Sequence, residues 1–182
     1  MHALLKKFQG GDRRSIGKVD EVVDEIRRDP SLFAILVDGL FENDPLIRMR
    51  AADAMEKITI DFPDYLQPAK QRLIDLAGRT RQQEVRWHLA QILPRLKLQP
   101  DERKQIIDAL FLYLNDNSKI VVTFALQALT DLSADDKQLQ PRLIRVLKEF
   151  VQAGSPAIKS RSRKLLEVLS SGFNGSKVKN QP

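Results

Sequence analysis

The stretch IRMRAADAMEKI, running from Ile47 to Ile58 and preceded by NDPL at 43–46, decides how this chain is read. With Ile47 as position 0, its apolar and small residues fall at positions 0, 4, 7, 8 and 11: Ile47, Ala51, Ala54, Met55 and Ile58. At about 100° per residue these positions form one stripe of an amphipathic helix. Asp44 stands where a side-chain oxygen can accept from the free amides of the first turn. Pro45 follows at the first helical position, where a missing N–H is not needed.

The same spacing recurs without gaps at Val85–Leu96, Val121–Leu132 and Ile158–Leu169, with starts 38, 36 and 37 residues apart. A fixed period in this range is the mark of a repeat architecture. Each segment, a B helix, is preceded by a second apolar-periodic segment, an A helix: 31–42, 64–77, 101–114 and 137–151. The triplet Leu66-Gln67-Pro68 returns as Leu139-Gln140-Pro141. Gln82 breaks the capping pattern of Asp44, Ser118 and Ser155, and Thr80 with Gln83 is the expected capping box there. Gly78 and Gly154 follow two A helices where a left-handed cap is expected.

NDPLIRMRAADAMEKI after an apolar A helix resembles a HEAT repeat, and the resemblance extends over residues 31–169. It implies an all-α fold: a right-handed α-solenoid of about four HEAT-like helix pairs, led by a capping half-repeat at 16–26. Stacked repeats leave an open apolar side at each end, which must be capped. The expected organisation is a flexible or capping N-terminus at 1–15, a repeat domain at 16–171 and a flexible tail at 172–182. The resemblance also implies that Arg48 and Arg86 pair with an acid near the helix start, Asp44 and Glu84 being the candidates.

Charge is unevenly placed. The 182 residues carry a net +6, with five Lys/Arg against one acid in residues 1–18 and six against one in residues 155–182. The middle holds 19 basic and 22 acidic residues, so no basic stripe crosses the repeats as a polyanion binder would show. The basic ends read first as solvated caps, and nucleic acid is the lesser expectation. No apolar run approaches the roughly 18 residues of a membrane span, and the N-terminus does not read as a secretory signal. The absence of cysteine rules out disulfides and thiolate metal sites and fits a cytoplasmic setting.

The apolar stripe of a B helix centres near about 25° on the wheel, and position 2 lies near about 200°, facing away from it. That position holds the only tryptophan, Trp87, with Met49 before it. Position 3 holds Arg50, His88, Phe124 and Arg161, and position 6 holds Asp53 and Gln91. In the resembled family the B helices line a concave face. These eight residues are therefore the expected partner-binding set for a protein or peptide, with Trp87 as anchor, because aromatic and Arg residues concentrate binding energy. Packing of Trp87 onto a neighbouring B helix is the alternative. His88 has no second ligand near it in sequence and no orienting partner, so neither a metal site nor a general base is expected.

No nucleophile elbow, phosphate-binding glycine loop or HExxH motif occurs. The expected function is a non-catalytic scaffold without cofactor. Alkylpurine DNA glycosylases built from HEAT-like repeats are the alternative; the likeness to them is one of architecture, and no catalytic residue matches.

Overall fold

The computed structural model describes residues 1–11, 15, 17–134 and 136–177, with backbone alone beyond Ser171. The described residues are helical repeats without a strand. They fall into two compact units, 1–106 and 107–182, with the division inside the seventh helix.

The first unit opens with α1 (Ala3–Lys6), a single turn that buries Leu4 and Leu5 and is followed by buried Phe8. Helix α2 (Val19–Arg28) is the leading half-repeat, burying Val19, Val22, Val23 and Ile26 on one side. Helix α3 (Phe33–Gly39) begins after a 3-10 turn at Pro30–Leu32. Helix α4 (Pro45–Asp61) carries the decisive stretch, and Asp44 caps it as expected, accepting from the Leu46 amide at 2.8 Å. All five stripe residues, Ile47, Ala51, Ala54, Met55 and Ile58, are buried, as the helical period requires. Helix α1 packs on α3, and α4 packs against α2, α3 and α6, so α4 is the centre of this unit.

The second A helix is not one α-helix. Pro63–Ala69 is a 3-10 helix that becomes α5 (Lys70–Arg79). Pro68 lacks an N–H, which removes a bond an α-helix over 64–77 would need. Leu139-Gln140-Pro141, the matching triplet, instead opens a regular helix, because Pro141 falls in its first turn, where free amides have no intrahelical acceptor. Phe33, Tyr65 and Phe62 line up here, with Tyr65 edge-on to Phe33 at 5.5 Å and stacked on Phe62 at 5.2 Å.

Helix α6 (Gln83–Ile92) is closed by a 3-10 turn at Leu93–Arg95, and α7 (Pro100–Tyr113) follows. The expected Thr80–Gln83 capping box is absent. Gln82 is the N-cap residue and makes no side-chain cap bond, because its amide reaches across to α4. It donates to the Pro45 carbonyl at 2.7 Å and accepts from Arg48 Nε at 2.8 Å.

The second unit holds the rest of α7, then α8 (Lys119–Leu132), α9 (Leu139–Ala153) and α10 (Pro156–Lys177). Helix α10 packs on both α8 and α9. Its core includes Tyr113, Val121, Leu129, Leu143, Leu147, Ile158 and Leu165. Helix α10 runs six residues into the segment expected as a flexible tail, and residues 178–182 lie outside those described. The left-handed caps do not form. Gly78 is inside α5, and Gly154 caps α9 at φ −72° and ψ 167°. Gly154 is required for space instead: a Cβ there would lie 2.6 Å from the Phe150 carbonyl oxygen and 2.9 Å from Ile158 Cγ2.

Candidate functional site

The register of α4 against α6 follows from two polar ties. Gln82 meets Pro45 and Arg48 at one end. At the other end Arg95 donates to the Glu56 carbonyl at 2.7 Å, to Thr59 Oγ1 at 2.8 Å and to the Glu56 carboxylate at 2.6 Å. Both ties join residues 34 to 39 apart in sequence, so the helices run side by side with the period of the repeat. Trp87 therefore stands level with Met49–Asp53 on α4.

Trp87 is half-buried, and its ring lies 5.6 Å from that of His88, tilted by 55°. The Gln91 amide donates to the Trp87 carbonyl at 3.3 Å. Burial holds the His88 imidazole down to about pKa 4; the Glu56 and Glu84 carboxylates oppose this and Lys57 adds to it. Its Nδ1 is buried without a hydrogen-bond partner. The imidazole is therefore neutral near pH 7 and lies against the indole.

On α4, Lys57 lies between two carboxylates, 2.9 Å from Asp20 of α2 and 3.6 Å from Asp53. Burial raises the Asp53 pKa; Lys57 pulls it back down and the Asp20 charge raises it further. A groove of about 400 Å³ between α2 and α4 is lined by the apolar Val23 and Ile60 and by Asp20, Asp24, Asp61, Arg27 and Lys57. Asp20, Asp24 and Lys57 have no place in the eight residues read from the sequence. The signal for the first two was the four-residue spacing of Asp20 and Asp24 along one face of the half-repeat helix.

The eight expected residues divide. Met49, Arg50, Asp53, Trp87, His88 and Gln91 belong to the first unit, and Phe124 and Arg161 to the second. Asp53, Trp87, His88 and Gln91 are half-buried on α4 and α6. Met49 is 9% exposed, covered more than an open rim would allow. Arg50, expected on that rim, is 1% exposed. Its guanidinium points into the N-terminal loop, where Nη1 donates to the carbonyls of Phe8 and Gly10 at 2.7 Å each and Nε and Nη2 donate to that of Ser15 at 3.2 and 3.0 Å. The wheel projection placed Arg50 correctly beside the stripe; it contains no information about a loop 35 to 42 residues earlier folding over that position. In the second unit Phe124 is half-buried, and Arg161 Nη1 donates to Gln127 Oε1 at 3.1 Å.

Arg48 likewise takes a different partner from the one expected. It donates to the carbonyls of Glu42 and Asn43 at 2.7 and 2.9 Å, and Arg86 Nε donates to the Thr80 carbonyl at 2.8 Å. Both arginines thus donate to carbonyls of the turn before their own B helix, while the Asp44 carboxylate, an acceptor only, takes the Leu46 amide. Among the described residues no three His, Asp or Glu side chains cluster as a metal would need, and no helix is long and apolar enough to cross a membrane.

Comparison with known proteins agrees with this geometry. A crystal structure of an engineered protein is 19% identical, covers 93% of this chain and 78% of its own, and superposes with a TM-score of 0.60. A computationally designed armadillo repeat protein for modular peptide recognition is 16% identical, with 87% and 77% covered and a TM-score of 0.57. At these identities the likeness is one of fold. No curated protein matches the chain. The model of the HEAT repeat domain matches residues 11–169, and the chain belongs to the HEAT repeat family.

Proposed function

We propose that this chain is a non-catalytic scaffold, working in the cytoplasm, that binds a protein or peptide segment through the concave face of its B helices. The observation that carries the reading is Trp87: a large aromatic, half-buried, level with Met49 and Asp53 and flanked by His88 and Gln91. Such a ring presents apolar area at low entropic cost beside groups that can hydrogen-bond, which is the composition of a binding hot spot. Asp20, Asp24, Asp53 and Asp61 outnumber Lys57 and Arg27 on the adjoining surface, which favours a segment with a basic side chain near the indole. Phe124 and Arg161 are the corresponding contacts of the second unit. Arg50 contributes through the shape of the first unit, since its donors are taken by backbone carbonyls.

The test is selection of binding peptides from a random displayed library, followed by titration against the full chain. Trp87 is the sole tryptophan, so its emission reports the site directly. A selected peptide should shift that emission, and Trp87→Ala should weaken it by about 2 kcal/mol, roughly thirtyfold, with helicity unchanged. Peptides that bind Trp87→Ala as tightly as the natural chain would overturn the proposal.

A further inference from the structure

In the first unit several cations are paired with carboxylates, among them Arg27 with Asp61, Lys57 with Asp20, Lys70 with Glu102, Arg72 with Asp38 and Arg95 with Glu56. Helices α9 and α10, which pack on each other in the second unit, are arranged differently. Residues 139–170 contain seven Lys/Arg and two acids, Glu149 and Glu167. Two of these cations are engaged, Arg142 over the Phe111 ring at 3.5 Å and Arg161 on Gln127. Arg145, Lys148, Lys159, Arg163 and Lys164 have neither a carboxylate nor a hydrogen-bond partner among the described residues. Five unpaired cations on two packed helices repel one another, so the arrangement lowers stability unless an anion is supplied from outside.

We infer that the outer surface of the α9–α10 hairpin binds the phosphate backbone of duplex nucleic acid. Phosphate is the matching group because guanidinium and ammonium donors serve its oxygens and leave counterions to be released. Arg145 and Lys148 are separated by about 4.5 Å along their helix and Lys159 and Arg163 by about 6 Å, so each pair addresses neighbouring backbone positions. Duplex is favoured over single strands because no described aromatic ring of these helices is exposed to stack on bases. Nucleic acid is favoured over a membrane surface because Val168 is the only exposed large apolar side chain described on the two helices, too little to enter a bilayer. Contact with phosphates alone carries no base readout, so binding is independent of sequence.

The experiment is fluorescence anisotropy of a labelled duplex of about 20 base pairs and arbitrary sequence, titrated with the full chain from about 50 to 200 mM salt. The logarithm of affinity should fall linearly with the logarithm of salt with a slope of about −3 to −4. The triple variant Lys148→Gln, Lys159→Gln, Arg163→Gln should flatten that slope by about 2.7 and weaken binding tenfold or more, with its circular dichroism unchanged. Lys97→Gln, an exposed cation of the first unit, should leave the slope as it is. Trp87→Ala should also leave it unchanged, which separates this surface from the peptide site. The inference is overturned if the duplex fails to bind at about 50 mM salt or if the triple variant binds it with an unaltered slope. Vesicles containing phosphatidylserine binding more tightly than the duplex, with the same dependence on the three cations, would overturn it in favour of a membrane.

Discussion

The Arg50 guanidinium occupies the space beside Gly17 that a side chain would need: a Cβ on Gly17 would lie 2.8 Å from Arg50 Cζ. Gly17 also has φ +58°, a backbone state costly for other residues. The two residues together hold the N-terminal loop on α4, with the guanidinium bonded to carbonyls on both sides of Gly11. Leu4, Leu5 and Phe8 are thereby kept in the core, so the N-terminal segment is a packed part of the first unit.

Arg50→Met should therefore destabilise the first unit by about 2–4 kcal/mol, because several buried carbonyls lose their donor while the apolar stem is retained. Urea denaturation checks the magnitude. Trypsin should also cut after Lys6 or Lys7 in the variant at concentrations that leave the natural chain whole. Gly17→Ala should fall in the same direction, through the clash with Arg50 and the strain of a side chain at φ +58°.

His88 makes stability depend on pH. Its folded pKa of about 4 lies below the unfolded value of 6.5, so the unfolded chain takes up a proton first as pH falls. The stability contributed by keeping His88 neutral is intact above pH 6.5 and is lost progressively toward pH 4. At pH 5 the loss should be about 2 kcal/mol relative to pH 7.5. His88→Leu should remove this component, and since Nδ1 has no partner to lose, it should not weaken the fold at pH 7.5. Urea titrations of both proteins at several pH values make the comparison.

Arg95→Ala should cost about 2 kcal/mol, since it frees Glu56 and Thr59 and unties the end of α6 from α4. Its effect should appear as faster amide exchange in the last turn of α4 and at 93–95. Arg95→Lys should recover little, because one ammonium cannot reach a carbonyl, a hydroxyl and a carboxylate in the planar arrangement of the guanidinium.

Gly154→Ala should lower the melting temperature despite ordinary backbone angles at that residue. The added methyl meets the Phe150 carbonyl oxygen at 2.6 Å, a contact that forces the α9–α10 turn to open, at about 1–3 kcal/mol. Calorimetry of the full chain reads the change directly.

The B helices were legible because their stripe repeats with a constant period, and burial of a stripe depends only on residues within one helix. Ile47, Val85, Val121 and Ile158 are all buried for that reason. The candidate site was legible only as a set of directions around the wheel, Trp87 opposite the stripe and His88 beside it, and both side chains are half-buried in the structure. The partners of those side chains were not legible. Gln82 reads as a failed N-cap until α4 is beside it, and Arg48 reads as one half of an ion pair until the preceding turn presents its carbonyls.

The sequence by itself determined the helix-pair repeat, its period and the faces its helices bury, because a periodic pattern acts through local geometry. Only the tertiary structure decided that Arg50 is a buried clasp, that Lys57 stands between Asp20 and Asp53, and that Arg145 and Arg163 have no partner among the described residues. Those facts depend on segments brought together from distant parts of the chain. A long polar side chain reaches whatever donor or acceptor the fold places within several ångströms, and no spacing along one helix encodes that.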